Sequence, residues 1–117
     1  MTVTTPQSEL IERLRTLLAD EPSTREVAMF GGRSFMVNEK MVVSALKTGD
    51  LLVRIPAKRH DELTAHPGAT QAEMGAGRSM GPGWISVSAQ SIDTEARLSF
   101  WLDVALDYNR TTAGNRR

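Results

Sequence analysis

The chain has no cysteine, only six aromatic residues, no excess of either charge and no apolar run longer than a few residues. Without cysteine there is no disulfide framework, no thiolate zinc site and no cysteine nucleophile, which agrees with a reducing compartment. The balance of 14 Lys and Arg against 14 Asp and Glu removes the basic field that draws a whole protein to nucleic acid. Trp84 and Trp101 have no basic ribbon interleaved with them, so single-strand stacking is disfavoured and direct nucleic-acid binding is not expected. The apolar runs fall far short of the roughly 20 residues that cross a bilayer. The segment MTVTTPQSEL lacks the basic start and apolar centre of a secretory signal, so a cytoplasmic location without a membrane partner is expected.

What remains is the composition of an ordinary globule, 40% hydrophobic and 24% charged over 117 residues, a length that suits one domain. Ser8 is placed to cap a first helix, in which Leu10, Ile11, Leu14, Leu17 and Leu18 recur at helical spacing. Pro22 in DEPST ends it. The runs REVAMF, RSFMV, MVVSAL and LLVRI are separated by GG, NEK and KTGD, the pattern of antiparallel strands joined by tight turns. Alternation puts Met41, Val43 and Ala45 on one face, then Leu51, Val53 and Ile55, with Arg54 opposite.

After Pro56, AKRHDELTAH reads as a short helix closed by Pro67 and Gly68, and the glycine-rich MGAGRSMGPG as a mobile loop or bulged edge. WISVS is a further strand, and Asp93 is placed to cap a last helix lined by Leu98, Trp101, Leu102, Ala105 and Tyr108. The expected fold is α+β, a two-layer sandwich of five to six antiparallel strands with N-terminal, middle and C-terminal helices. Residues 1–7 are expected to be disordered, 8–110 to form the domain and 111–117 to fray.

No constellation for catalysis is visible. GAGRSMG approaches a dinucleotide fingerprint in letters, but its third glycine is one position late and it leads into the strand WISVS instead of a helix. His60 and His66 stand six apart, which turns them away from each other on a helix, so no metal site is expected. No serine lies in a nucleophile elbow, and Asp103 and Asp107 fall on a polar helix face. No catalytic residue, metal or cofactor is assigned. Met29, Met36, Met41, Met74 and Met80 fill a core or form an adaptable surface.

Between Arg25 and Arg59 seven bases face three acids. They are solvated strand ends or an anion-binding face, and for the second reading Arg54, Lys58, Arg59 and Arg78 are the candidate contacts. MFGGRSF poses a related choice. A phosphate loop delivers its glycines to a helix N-terminus, whereas RSFMV, NEK and MVVSAL follow here as a hairpin. Gly31 and Gly32 therefore read as a device for positive φ, a bulge or close strand contact. Arg33 beside them is open to a partner's carboxylate or phosphate.

The stretch MFGGRSFMVNEKMVVSALKTGDLLVRIPAKRHDEL, with GAGRSMGPGWISV and the helix after Asp93, resembles the TfoX N-terminal domain family. Met29, Phe30, Gly31 and Gly32 are the specific part, with Arg33 beside them on a candidate interaction surface. Two features depart from the family pattern: Thr70 to Met74 has no aromatic, and Trp84 stands alone where the family has a tyrosine-rich strand. The resemblance implies a secretion-chaperone-like α+β sandwich and a stand-alone domain, without the second helical domain of longer members similar to the bacterial competence regulator TfoX. It also implies a non-enzymatic regulatory role through a protein partner, in that family the transcription machinery with the cyclic-AMP receptor protein. A small-ligand or nucleic-acid binder using the basic face is the alternative, and an enzyme a more remote one. A homodimer through a sheet edge or the Met-rich face is compatible with the pattern.

Overall fold

The computed structural model describes residues 5–21, 24–29, 32–73 and 78–114; the side chains of Met29 and of 112–114 lie outside the description. The chain forms α1 (Pro6–Leu17), β1 (Thr24–Met29), β2 (Gly32–Val37), β3 (Lys40–Ala45) and β4 (Leu51–Arg54). After a short 3-10 turn at Ala57–Arg59 come α2 (His60–Thr64), β5 (Ala69–Gln71), β6 (Trp84–Val87) and α3 (Glu95–Gly114). The fold is α+β, with one antiparallel sheet in the order β1-β2-β3-β4-β6-β5 and three helices.

One contiguous core joins a sheet face to the helices. Phe35, Val43, Ala45, Leu51, Val53, Ile85 and Val87 cluster with Leu10, Leu14, Leu98, Trp101 and Leu102. Each fully buried side chain of this size contributes about 1.5–3 kcal/mol by leaving water. The strand pairs Phe35↔Val43, Val43↔Val53 and Val53↔Ile85 keep these residues in register, so alternation read from the sequence holds in β4. In β3 it breaks. The register shifts between Phe35 and Met36, where Val43 pairs Phe35 but Met41 pairs Met36, so Val42 is an extra residue and both valines are buried. Met41 is only half-buried. On the opposite face Ser34 and Ser44 are buried, and the Ser34 hydroxyl donates to the Ser44 hydroxyl at 3.0 Å.

Several boundaries differ from those read in the sequence. Thr5, not Ser8, caps α1: its hydroxyl accepts from the Ser8 amide at 3.0 Å and the Ser8 hydroxyl accepts from the Thr5 amide at 3.2 Å. Ser8 is the third residue of this reciprocal box, and Pro6 takes the first turn, where a missing N–H costs nothing. Thr5 to Gln7 therefore belong to the helix; residues 1–4 lie outside the described residues. Thr94, not Asp93, caps α3, accepting from the Arg97 amide at 3.2 Å. The same helix runs to Gly114, through residues expected to fray. AKRHDELTAH divides into the 3-10 turn and a five-residue α2. β5 forms just before the glycine-rich stretch, in residues to which the sequence reading gave no element, because Ala69, Thr70 and Gln71 pair with Val87, Ser86 and Ile85.

The hairpin glycine has a definite cause. Gly32 pairs with Met29 in β1, and a methyl group on it would run into the backbone carbonyl of Ala45 and press on the Leu46 Cα. Close strand contact is thus its role. Phe30 and Gly31 lie outside the described residues. Between β2 and β3, Asn38 and Glu39 take φ 54 and φ 66, the left-handed pair that a two-residue hairpin turn requires.

Glu26 fastens β1 to α1. The Arg15 Nε and Nη2 donate to its two carboxylate oxygens at 2.7 and 2.9 Å, and those hydrogen bonds hold the Glu26 carboxyl below its ordinary value against partial desolvation. A depressed folded pKa gives stability that is present above the unfolded value and lost as pH falls through the folded one.

Two outcomes follow. Gly32→Ala lowers stability by more than about 2 kcal/mol in denaturant unfolding, because neither backbone can yield. Glu26→Gln costs about 0.5–1 kcal/mol at neutral pH, and its unfolding curve converges with that of the unaltered protein in strong acid, where Glu26 is protonated in both states.

Candidate functional site

Arg54, the last residue of β4, stands beside Trp84 of β6 in the sheet register. Its guanidinium carbon lies 4.9 Å from the Trp84 ring centroid and 5.2 Å from that of Tyr108 in α3. Stacking of this kind is available to arginine because its cation is planar and weakly hydrated. The Arg54 Nη1 donates to the carbonyls of Ile55 and Gly83, both at 3.2 Å, and Nη2 to the Tyr108 hydroxyl at 3.4 Å. The expectation that Arg54 is one solvated strand-end cation among several is corrected: it is half-buried and reaches a helix.

Gly83 makes this possible. A methyl group there would occupy the place of the Arg54 Nη1, and its φ of 99 is one that other residues rarely adopt. Its carbonyl accepts from the Ile55 amide at 2.9 Å as well as from Arg54, while its own amide donates to the His60 Nδ1 at 3.2 Å. The second half of the glycine-rich stretch is therefore structural at the site; residues 74–77 lie outside the described residues.

A groove of about 310 Å³ opens beside Arg54. Met36, Met41, Trp84 and Ala105 supply its apolar wall, and Glu39 and Lys40 come from the β2–β3 turn. Met36, Met41 and Met80 are half-buried, so two of them serve as groove wall and none of the three fills the core; Met74 and the Met29 side chain are not described.

The other candidate cations do not gather. Arg33 is exposed on β2, 3.9 Å from Glu26, which Arg15 already holds. Arg59 donates through Nε and Nη2 to Glu62 at 3.3 and 2.9 Å, which raises its own pKa and lowers that of Glu62. Lys58 and Arg78 are exposed. Arg25 grips Glu39 through the same two nitrogens at 3.4 and 2.7 Å, and this pairing holds the Glu39 carboxyl low. Of the seven bases between Arg25 and Arg59, Arg25 and Arg59 are thus engaged by carboxylates and Arg33 is only loosely so, and the candidate cations do not converge on one site. Among the described residues no group of His, Asp and Glu is arranged to hold a metal.

His66 stands apart from His60. Its ring packs 4.9 Å from Phe100 and 5.6 Å from Trp101, beside a second groove of about 290 Å³ that Arg97 and Ser91 also line. Phe100 is the large apolar side chain most exposed among the described residues. Sequence reading missed the roles of Gly83 and Tyr108. Nothing local separates Gly83 from its neighbouring glycines, and Tyr108 lies 54 residues from its partner.

Arg54→Met removes the stacked cation and leaves two carbonyls and a hydroxyl to find other donors. It lowers stability by about 1–3 kcal/mol, with a change in Trp84 near-ultraviolet ellipticity; Gly83→Ala gives the same spectral change with Arg54 present, because it displaces the guanidinium.

The comparisons with known proteins bear on the whole of this arrangement. No helix is long and apolar enough to cross a membrane among the described residues, and comparison with curated proteins finds no match. The family model for the TfoX N-terminal domain matches residues 16–108, a span that takes in every strand, the Gly32 hairpin, Arg54, Gly83 and Tyr108. The chain belongs to the TfoX N-terminal domain family.

Proposed function

We propose that this chain is a non-enzymatic regulatory domain that acts by binding a protein partner, in the manner its family resemblance implies for a transcription co-regulator. The observation that carries this reading is the family match over residues 16–108. The hairpin of β1 and β2 supports it physically. β1 is an edge strand, paired only with β2 among the described strands, and edge strands offer backbone donors and acceptors to another chain. Arg33 stands one strand in from that edge, on β2 between Ala28 and Ala45, exposed and only loosely engaged by Glu26, and so retains a guanidinium fork for a partner's carboxylate. The cytoplasm is the compartment this reading requires.

The test is affinity capture by the tagged protein from its host's lysate, with and without nuclease, read by mass spectrometry beside Arg33→Glu. A component of the transcription machinery retained after nuclease and depleted at least fivefold with Arg33→Glu is the expected result. Enrichment that vanishes with nuclease, or that ignores the substitution, overturns the reading.

The alternative of a small-ligand binder is favoured by one separate observation, the Arg54 groove.

A further inference from the structure

Four arginines in this protein reveal how its guanidinium groups are used. Arg15, Arg25 and Arg59 each present Nε and Nη2 side by side to one carboxylate, Glu26, Glu39 and Glu62 respectively. Arg54 is used differently. Its Nη1 is committed to two backbone carbonyls and the Trp84 and Tyr108 rings pack against it, yet among the described residues its Nε donates to nothing and no carboxylate pairs with it. A guanidinium has five N–H groups, and the three bonds of Arg54 come from Nη1 and Nη2, so among the described residues its Nε–H and the second Nη2–H are left for a carboxylate.

We infer that the Arg54 groove is a binding site for a carboxylate carried on a short apolar body. The ring stack and the Gly83 and Ile55 carbonyls fix the fork in advance, which removes most of the ordering cost a flexible arginine would incur on binding. A bidentate pair is planar and directional, and the methionine and tryptophan wall accepts the apolar part. Lys40 adds positive charge at the groove, while Glu39, the carboxylate nearest in sequence to it, is held by Arg25. The cavity of about 310 Å³ is at the small end of ligand sites, which suits a small carboxylic acid or one chain-terminal residue and no larger body. Phosphate is the poorer fit, because the groove offers a single fork against an apolar wall.

This inference stands apart from the regulatory reading, and neither result of the capture experiment bears on it. The probe is hexanoate, titrated into the full chain while the Arg54 Nε–H resonance is followed by NMR, with Trp84 fluorescence in parallel. Hexanamide, of the same shape without charge, and inorganic phosphate are the comparisons. The expected result is a saturable displacement at roughly millimolar concentration or below, with hexanamide and phosphate at least tenfold weaker. Arg54→Lys, which keeps the charge and loses the fork, weakens hexanoate at least tenfold in the fluorescence titration. N-acetyl-Ala-Leu with a free terminal carboxylate separates the two sources: tighter binding than hexanoate assigns the site to a protein chain end, weaker binding to a free acid. The inference is overturned if the Nε–H resonance does not move saturably, if hexanamide or phosphate matches hexanoate, or if Arg54→Lys binds as tightly as the unaltered protein. The NMR titration uses the unaltered protein, so it decides the matter even where a variant at Arg54 folds poorly.

Discussion

Arg54 sits half-buried at the end of β4, and the three hydrogen bonds it makes there tie together elements that are distant in sequence. A buried cation without partners is costly, and a backbone carbonyl is the cheapest partner that brings no second charge. Ile55 supplies one carbonyl from the next residue, and Gly83 supplies the other from across the chain. Gly83 in turn closes on the Ile55 amide and the His60 ring. β4, β6 and α3 thus meet at one guanidinium, with α2 joined to it through Gly83.

The ion pairs show a division of labour along the same lines. Arg25 with Glu39, Arg59 with Glu62 and Arg15 with Glu12 are pairs in which both side chains are substantially exposed. Pairs of that kind stabilise by little and are weakened further by salt. Their effect is on the surface field, because Arg25 and Arg59 are each locally balanced by a carboxylate. Glu26 differs, because it receives the Arg15 fork while partly withdrawn from solvent and joins the edge strand to the first helix.

The legibility of this fold divides by the range of the interaction that decides each element. The strands β1 to β4 were readable because turns of a few residues leave antiparallel pairing as the only option, and α3 because Leu98, Trp101, Leu102 and Ala105 repeat at helical spacing. β5 was not readable: Ala69, Thr70 and Gln71 carry no strand signal, and β6 organises them. The extra residue at Val42 was hidden because a valine suits either face of a strand. At the site, Arg54 was visible as a cation but its surroundings were not, since Tyr108 and Gly83 reach it only through the tertiary fold.

Glu39 carries the argument one step further. Its left-handed φ of 66 is a conformation that costs a residue with a Cβ roughly 1–2 kcal/mol, and glycine would satisfy the turn without that cost. What a glutamate adds there is a carboxylate held outward by Arg25 at the border of the groove that Arg54 lines. The exposed ion pair contributes little to folding, and it leaves the one carboxylate that lines the groove among the described residues paired away from Arg54.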